Sequence, residues 1–432
     1  MLLPFVRRFS AMASEIKKVP IPSRGVDYRG KIVLAPMVRS GELPSRLVAL
    51  HYGADLVWGP ETVDKAMIGT TRRENPITRT IDWTRVQTFG KKEVPSNAPE
   101  TVVYSVLPEK EAGKTIFQIG TADPELAVQA ARLIAADVSG IDVNAGCPKP
   151  FSTHSGMGAA LLRTPDKLVA ILEALIKNIT PEFNIGISVK IRLLETAAET
   201  EALVRRLCAT GITALTIHCR TTPMRPREAA IRGQLRMVAD VCHEAGVACL
   251  MNGDVQSRDH GLKLMEEYGT DGAMIATSAE TNFSCFRAEA DGGIAPWREV
   301  AETYIKYALD VHNKFGNTKY LLCQIVPGKK PEYKQIIPCK NYAHLCEVFE
   351  LKDDMERAQE LDRQVEAERE SAKADKKAKA AKANNSALAA GGNMAGARGN
   401  QNRKGLSERG PRTAQATTET QTPVETAQAQ TA

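Results

Sequence analysis

The sequence has nine cysteines in 432 residues, yet no two of them stand at CxxC spacing. An odd number of scattered thiols argues against a disulfide framework and for a reducing compartment. Cys339 and Cys346, with His344 between them, lack the spacing of the common zinc ribbons, so no metal site is expected. No apolar run approaches the roughly 20 residues that cross a bilayer, and no membrane segment is read. The body of the chain also lacks net charge. The whole chain is +6, and residues 371–432, with ten Lys and Arg against four Asp and Glu, carry all of it. Residues 1–370 are therefore neutral, and any nucleic-acid surface there must be a local patch, since no global field supplies one. The first fourteen residues, MLLPFVRRFSAMAS, have two arginines and no acid, like a short transit peptide. Pro4 and Met12 interrupt an amphipathic helix there, so residues 1–28 read as a flexible start. The cytoplasm is the expected location, with the nucleus and the mitochondrion as alternatives.

What the chain does have is a repeat of short β-rich segments: KIVLAPMV (31–38), ADLVWGPE (54–61), TIFQIG (115–120), GIDVNAG (140–146), NIGISVKIRL (184–193), ALTIHCR (214–220), ACLMNGD (248–254) and GAMIAT (272–277). Between them apolar residues recur at three- and four-residue spacing, predicting helices over 124–137, 165–178, 196–210, 234–245 and 258–268. Asp123-Pro124 and Thr164-Pro165 look like cap and first-turn pairs. Eight strands alternating with helices fit a (β/α)8 TIM barrel over residues 29–290. Residues 62–113 are too long for a βα loop and read as an insertion, a hairpin with a strand at 101–106. Residues 291–370 are helical in period without strands and predict a small all-helical C-terminal domain. Residues 371–432, Ala/Lys-rich and then Gly/Asn/Gln/Thr-rich, bury too little to offset ordering entropy and read as a disordered basic tail.

A parallel barrel keeps its active site at the carboxyl ends of its strands, so polar residues there are the informative ones. They are Gln118, Asn144, Lys190, His218 and Asn252. Each alone has a structural explanation, but five at one end of one barrel point to a site. Lys190 is the most telling, because a lysine in an apolar strand needs an anion or an electron-rich partner. A reduced flavin ring would meet that need. Pro36, Met37 and Val38 follow the first strand, where small-residue backbone can lie against a flat ring. Asn252, Gly253 and Asp254, with Ala276 and Thr277, follow strands seven and eight, where barrels bind phosphate through backbone N–H groups. Cys147 lies on a tight loop between Gly146 and Pro148. With a thiol pKa near 8.5 it is mostly protonated and can serve as an acid. A thiolate pair with His154 is the competing arrangement. Downstream, the glycines of SGMG (155–158) suggest a mobile loop.

At NAGCPKPFSTHSGMGAALL (144–162) the sequence resembles the tRNA-dihydrouridine synthase family, and most the eukaryotic subfamily acting in the D-loop of cytosolic tRNA, usually at position 20. The resemblance runs from Lys31 to Cys285 and through NTKYLLCQI (317–325). It implies an FMN-dependent barrel that reduces the C5=C6 bond of a uridine with NADPH, the cysteine protonating C5. Carried over by position, Cys147 is the acid. Pro36, Met37, Val38, Gln118, Lys190, His218, Asn252, Gly253, Asp254, Ala276 and Thr277 hold FMN, and Asn144 orients the uracil. Thr277 departs from the family, many of whose members have an arginine there for the flavin phosphate. Backbone amides and Arg258 are the candidates to compensate.

Conjugation of C5=C6 to the C4 carbonyl sends hydride to C6 and leaves C5 to be protonated. A base in folded RNA must first be turned out of its stack. Lys149, Arg192, Arg220, Arg225, Arg227 and Arg232 around the mouth are candidate phosphate contacts, with Arg192 and Arg220 closest to the site. Lys314, Lys319, Lys329, Lys330 and Lys334 extend the patch. The tRNA would be bound by a monomer. Two other readings stay open at this point: a flavin reductase of a free pyrimidine or enone, and an RNA-binding barrel without catalysis.

Overall fold

Each of the eight predicted β segments contributes one strand, and period-2 alternation sorts its side chains into two cores. The computed structural model describes residues 19–86 and 100–391. The strands are β1 (Lys31–Leu34), β2 (Leu56–Trp58), β3 (Thr115–Gly120), β4 (Gly140–Ala145), β5 (Gly186–Arg192), β6 (Ala214–His218), β7 (Ala248–Asn252) and β8 (Gly272–Ile275). All neighbours are parallel, β1 pairs with both β2 and β8, and pairing of β2 with β3 closes the ring. On β7, Ala248 and Leu250 belong to the barrel's interior, with Val33, Leu56, Ile116, Ala214 and Met274, while Cys249 and Met251 face the surrounding helices. Continuing that alternation, two residues on from Ile116 and Leu250 and four on from Ala214, sends Gln118, Asn252 and His218 inward at the carboxyl ends of β3, β7 and β6.

Helices Pro124–Ile134, Pro165–Phe183, Ala197–Cys208, Leu235–Glu244 and Arg258–Tyr268 cover the outside. Asp123 caps the first, accepting from the amides of Glu125 and Leu126, whereas Thr164 makes no side-chain cap bond. Thr196 and Glu199 form a reciprocal capping box on the helix after β5. A further helix, Leu43–His51, was not anticipated from the sequence.

The insertion holds a three-stranded antiparallel sheet, Thr71–Glu74, Ile81–Val86 and Glu100–Val106, instead of a hairpin. Its Trp83 is buried and donates to the Leu133 carbonyl at 2.8 Å. Its Tyr104 ring lies where a β-carbon on Gly59 would stand, so the chain after β2 needs glycine there. Past Gly59-Pro60-Glu61, residues Thr62–Val63 resume pairing along the end of β3. Glu61 is thereby carried across the mouth of the barrel.

Beyond β8 the chain is helical: Trp297–Asp310, Phe315–Ile325, Pro331–Ile336, Tyr342–Phe349 and Met355–Gly391. Cys339 and Cys346 are core residues of this region. One compact unit ends at Ala372 and a second begins at Lys373. Residues 371–391 are helical where disorder was expected. Alanine and lysine are strong helix formers, and a helix already started at Met355 extends through them without a second nucleation penalty. The transit-peptide reading and residues 392–432 lie outside the described residues. Among the described residues no helix is long and apolar enough to cross a membrane.

Candidate active site

Within the barrel mouth a chain of buried hydrogen bonds starts at Asp142, one of the few charged side chains in the strands. Its carboxylate accepts from Gln118 Nε2 at 2.8 Å and from Ser188 Oγ at 2.7 Å. Burial pushes this carboxyl above the usual range against those bonds and the nearby Lys190. Gln118 Oε1 in turn accepts from Asn144 Nδ2 at 3.2 Å, and Asn144 Oδ1 accepts from the amides of Gly146 at 2.9 Å and Cys147 at 3.0 Å. The network therefore ends by fixing the cysteine loop. Sequence reasoning passed over Asp142, although an acid inside GIDVNA raises the same question as Lys190.

Lys190 Nζ donates to Asn252 Oδ1 at 3.0 Å, while Asn252 Nδ2 donates to the Met274 carbonyl at 2.9 Å. Burial, and then the charge of Arg192, lower the lysine to about 8, so it keeps most of its charge at neutral pH. His218 is held neutral: burial and the cations Lys190, Arg192 and Arg220 lower it to about 2. Arg220 Nη1 lies 3.1 Å from His218 Nε2. A guanidinium can only donate, so Nε2 accepts and the ring proton resides on Nδ1.

Cys147 is partly exposed on the loop after β4. Its carbonyl accepts from the amide of Ala159 at 2.9 Å. Gly158, at φ +58°, lies so close beneath it that a β-carbon would stand 2.6 Å from the Cys147 oxygen. The glycine serves this close approach; the SGMG segment (155–158) forms the connection between a short helix, Pro150–Thr153, and a 3-10 helix, Gly158–Arg163. Burial pushes the thiol up, and the neighbouring Glu61 carboxyl adds to the effect, against Lys149 and Ser152. His154 is exposed and is not among the groups acting on the thiol. Glu61 was not singled out from the sequence, and its signal was its place in WGPE at a strand end.

Other expected residues are positioned differently. Arg192 and Arg220, expected as substrate contacts, are both buried. Arg192 donates to the carbonyls of Gly146 at 2.8 Å and Thr221 at 2.9 Å, tying the cysteine loop to the loop after β6. Arg220 bridges His218, Asp254 and the carbonyls of Pro226 and Glu228. Asn144, expected to orient a base, holds its own loop. Asp254, at φ +52°, turns its carboxylate to Arg220 and the Ala230 amide. Met37 and Ala276 lie against the interior core, Pro36 is half-buried, and Val38 and Thr277 are exposed. Arg258 is paired with Asp55 and the Gly53 carbonyl, so it is not available to compensate at Thr277. Instead Arg232 reaches the strand-seven loop, donating to the carbonyls of Gly253 at 3.0 Å and Asp254 at 3.3 Å. Lys149, Arg225, Arg227, Lys329, Lys330 and Lys334 are exposed, whereas Lys319 donates to the carbonyls of Ile337 and Cys339.

Residues 33–383 match the dihydrouridine synthase (Dus) family. A tRNA-dihydrouridine(20) synthase (NAD(P)+) of Saccharomyces cerevisiae is 46% identical over 340 residues, 76% of this chain and 86% of that protein. Its Schizosaccharomyces pombe namesake is 50% identical over 328 residues, and the match spans 76% of this chain and 66% of the relative. The tRNA-dihydrouridine(20a/20b) synthase (NAD(P)+) of Schizosaccharomyces pombe is 25% identical over 72% of this chain and 84% of its own length. With the family matched from β1 to the last helix, this chain belongs to the dihydrouridine synthases.

Proposed function

We propose that the protein is a tRNA-dihydrouridine synthase that reduces the C5=C6 bond of uridine 20 in the D-loop, with FMN as cofactor and NADPH as reductant. The names of its yeast relatives support the substrate and the position. The observation that carries the chemistry is Cys147 on a loop pinned after β4, with burial pushing its thiol up and Lys190 close enough to feel its charge.

The mouth fits FMN. Met37 and Ala276 cover the apolar interior, a surface suited to a flat ring. Gln118, Lys190 and Asn252 put polar atoms around that surface. Gly253 is buried at φ +119°, where a β-carbon would stand 3.2 Å from Ala230 and 3.4 Å from His218, leaving bare backbone for a close-lying group. Thr277, after β8, lacks the charge of an arginine, and Arg232 brings a cation to the neighbouring loop after β7. Bound FMN, once reduced by NADPH, supplies the hydride that goes to C6.

The protein's own residues do the rest. Asn144 and Gly158 hold the Cys147 loop, and the thiol gives its proton to C5. Arg220 keeps His218 in one tautomer, a neutral donor through Nδ1. The uracil has to leave its stack to reach this site. Exposed Lys149, Arg225 and Arg227 flank the entry, and Lys329, Lys330 and Lys334 add charge for phosphates on the helical region.

Unmodified tRNA incubated with the protein and NADPH will gain dihydrouridine at position 20. Cys147→Ala will lower that rate by about 100-fold or more, the usual contribution of a positioned acid, with flavin still bound. Full activity in the variant would remove Cys147 from its role.

A further inference from the structure

An acid that gives up its proton in every turnover must recover one before the next. Cys147 sits half-buried on a loop held by Asn144 on one side and by Gly158 and Ala159 on the other, so the groups packed beside its thiol are fixed in place. The group beside it is Glu61. This carboxyl is delivered by the interruption of β2, and it occupies the space over Gly120 at the end of β3, where a β-carbon would lie 2.5 Å from Oε1. Oε1 faces Ser152 Oγ at 3.5 Å, and Oε2 is buried without a partner in hydrogen-bonding geometry. Of the polar neighbours acting on the carboxyl, Cys147 comes first, ahead of Ser152 and the exposed Lys149. A buried carboxylate oxygen without a donor is costly, and a proton on the carboxyl relieves that cost.

We infer that Glu61 is the proton relay of Cys147, returning a proton to the sulphur after each transfer to uracil C5. The inference rests on Cys147 being the acid. In the transfer the S–H bond breaks and C5–H forms, leaving a thiolate beside the carboxyl. Two adjacent anions raise each other's affinity for a proton, so Glu61 takes one from water and passes it on. The Glu61 O–H bond then breaks as S–H reforms, and the net proton consumed comes from solvent. The titratable and charged groups facing Glu61 are Cys147 and Lys149, both from the β4 loop; β3 presents only Gly120. Glu61 acts through the cysteine and is a positioning residue.

The test measures Cys147 itself. Alkylation of Cys147 by iodoacetamide, followed by peptide mass spectrometry across pH, gives the midpoint at which its thiolate forms. In Glu61→Gln the repelling carboxylate is gone, and the midpoint will fall by about one pH unit. On tRNA, kcat will fall about tenfold or more, with KM for tRNA within about twofold and flavin content unchanged. Glu61→Asp, which keeps the charge, will restore part of both. An unmoved midpoint in folded Glu61→Gln overturns the inference, and so does a moved midpoint with unchanged kcat. Should that variant not fold, Gly120→Ala displaces the carboxyl from the other side and must move the same midpoint; an unmoved one again overturns it. Full activity in Cys147→Ala would refute the acid assignment beneath it. An inactive Cys147→Ala with a thiol midpoint indifferent to Glu61 would refute the relay alone.

Discussion

Lowering the pH from 7 to 5 will destabilise the protein through His218 by about 2 kcal/mol. The ring is held neutral down to about 2 by burial and three neighbouring cations. In the unfolded chain it titrates near 6.5. Between those values the unfolded state binds a proton that the native state refuses, so stability falls as the pH drops through 6.5. At pH 5 the unfolded histidine lies about 1.5 units below its midpoint, and at about 1.4 kcal/mol per unit the loss is about 2 kcal/mol. The figure does not depend on how far the native value is depressed, because pH 5 stays well above it. Raised carboxyls work in the opposite direction: Glu42, Glu61 and Asp142, all pushed up by burial, take up protons earlier in the folded state and gain stability as the pH falls. The measurement is therefore a difference. Urea unfolding followed by circular dichroism at pH 7 and pH 5 will show the wild type losing about 2 kcal/mol more than His218→Gln, which accepts from Arg220 but cannot titrate. Equal losses, within roughly 0.5 kcal/mol, would mean that His218 protonates in the native state and that its fixed tautomer is wrong.

Removing the Arg232 guanidinium should loosen the strand-seven loop and take away its cation. Arg232→Ala is expected to weaken FMN retention about tenfold or more, the worth of a charge-assisted hydrogen bond, as read by flavin fluorescence on dilution; unchanged retention would leave the missing charge at Thr277 without a substitute. Gly158→Ala puts a β-carbon into the Cys147 carbonyl at positive φ, a conformation costing about 1–2 kcal/mol before any clash, and should lower both the melting temperature and the rate on tRNA. Buried Arg46 lies 2.6 Å from equally buried Glu111, which also accepts from the Leu107 amide and Thr115. Glu111→Ala leaves that guanidinium uncompensated and should cost about 3–5 kcal/mol in urea unfolding, and a loss below about 1 kcal/mol would show the pair to be hydrated.

The barrel was readable because each parallel strand, covered on both faces, is a short apolar run, and eight such runs at helix-length intervals admit few architectures. Their ends were less readable. The segment Pro36–Val38 continues the apolar character of β1, but its backbone has left the ladder, and apolar character alone does not report hydrogen bonding. The helix Leu43–His51 escaped because it starts at Leu43-Pro44 after Glu42, without a side-chain cap. In the site, Gln118, Lys190, His218 and Asn252 converge because period-2 alternation fixes the face of a strand residue once its end of the barrel is known. That rule works for strands and stops where they stop.

Charge is where the sequence misled, and the reason is physical. Arg192, Arg220 and Lys319 look like phosphate contacts in a one-dimensional reading, yet main-chain carbonyls of nearby loops claim their donors first. A loop that crosses a barrel mouth exposes carbonyls that no ladder satisfies, and an arginine within reach satisfies several at once. Arginines at or just past the ends of parallel strands are thus the ones most prone to become loop clamps, whereas Arg225 and Arg227, on the loop that Arg192 and Arg220 hold, are exposed. The same logic accounts for Arg232, which the carbonyls of Gly253 and Asp254 draw across from the loop after β6. Position after a strand predicts which end of the barrel a charge occupies; the unsatisfied backbone around it decides what the charge does there.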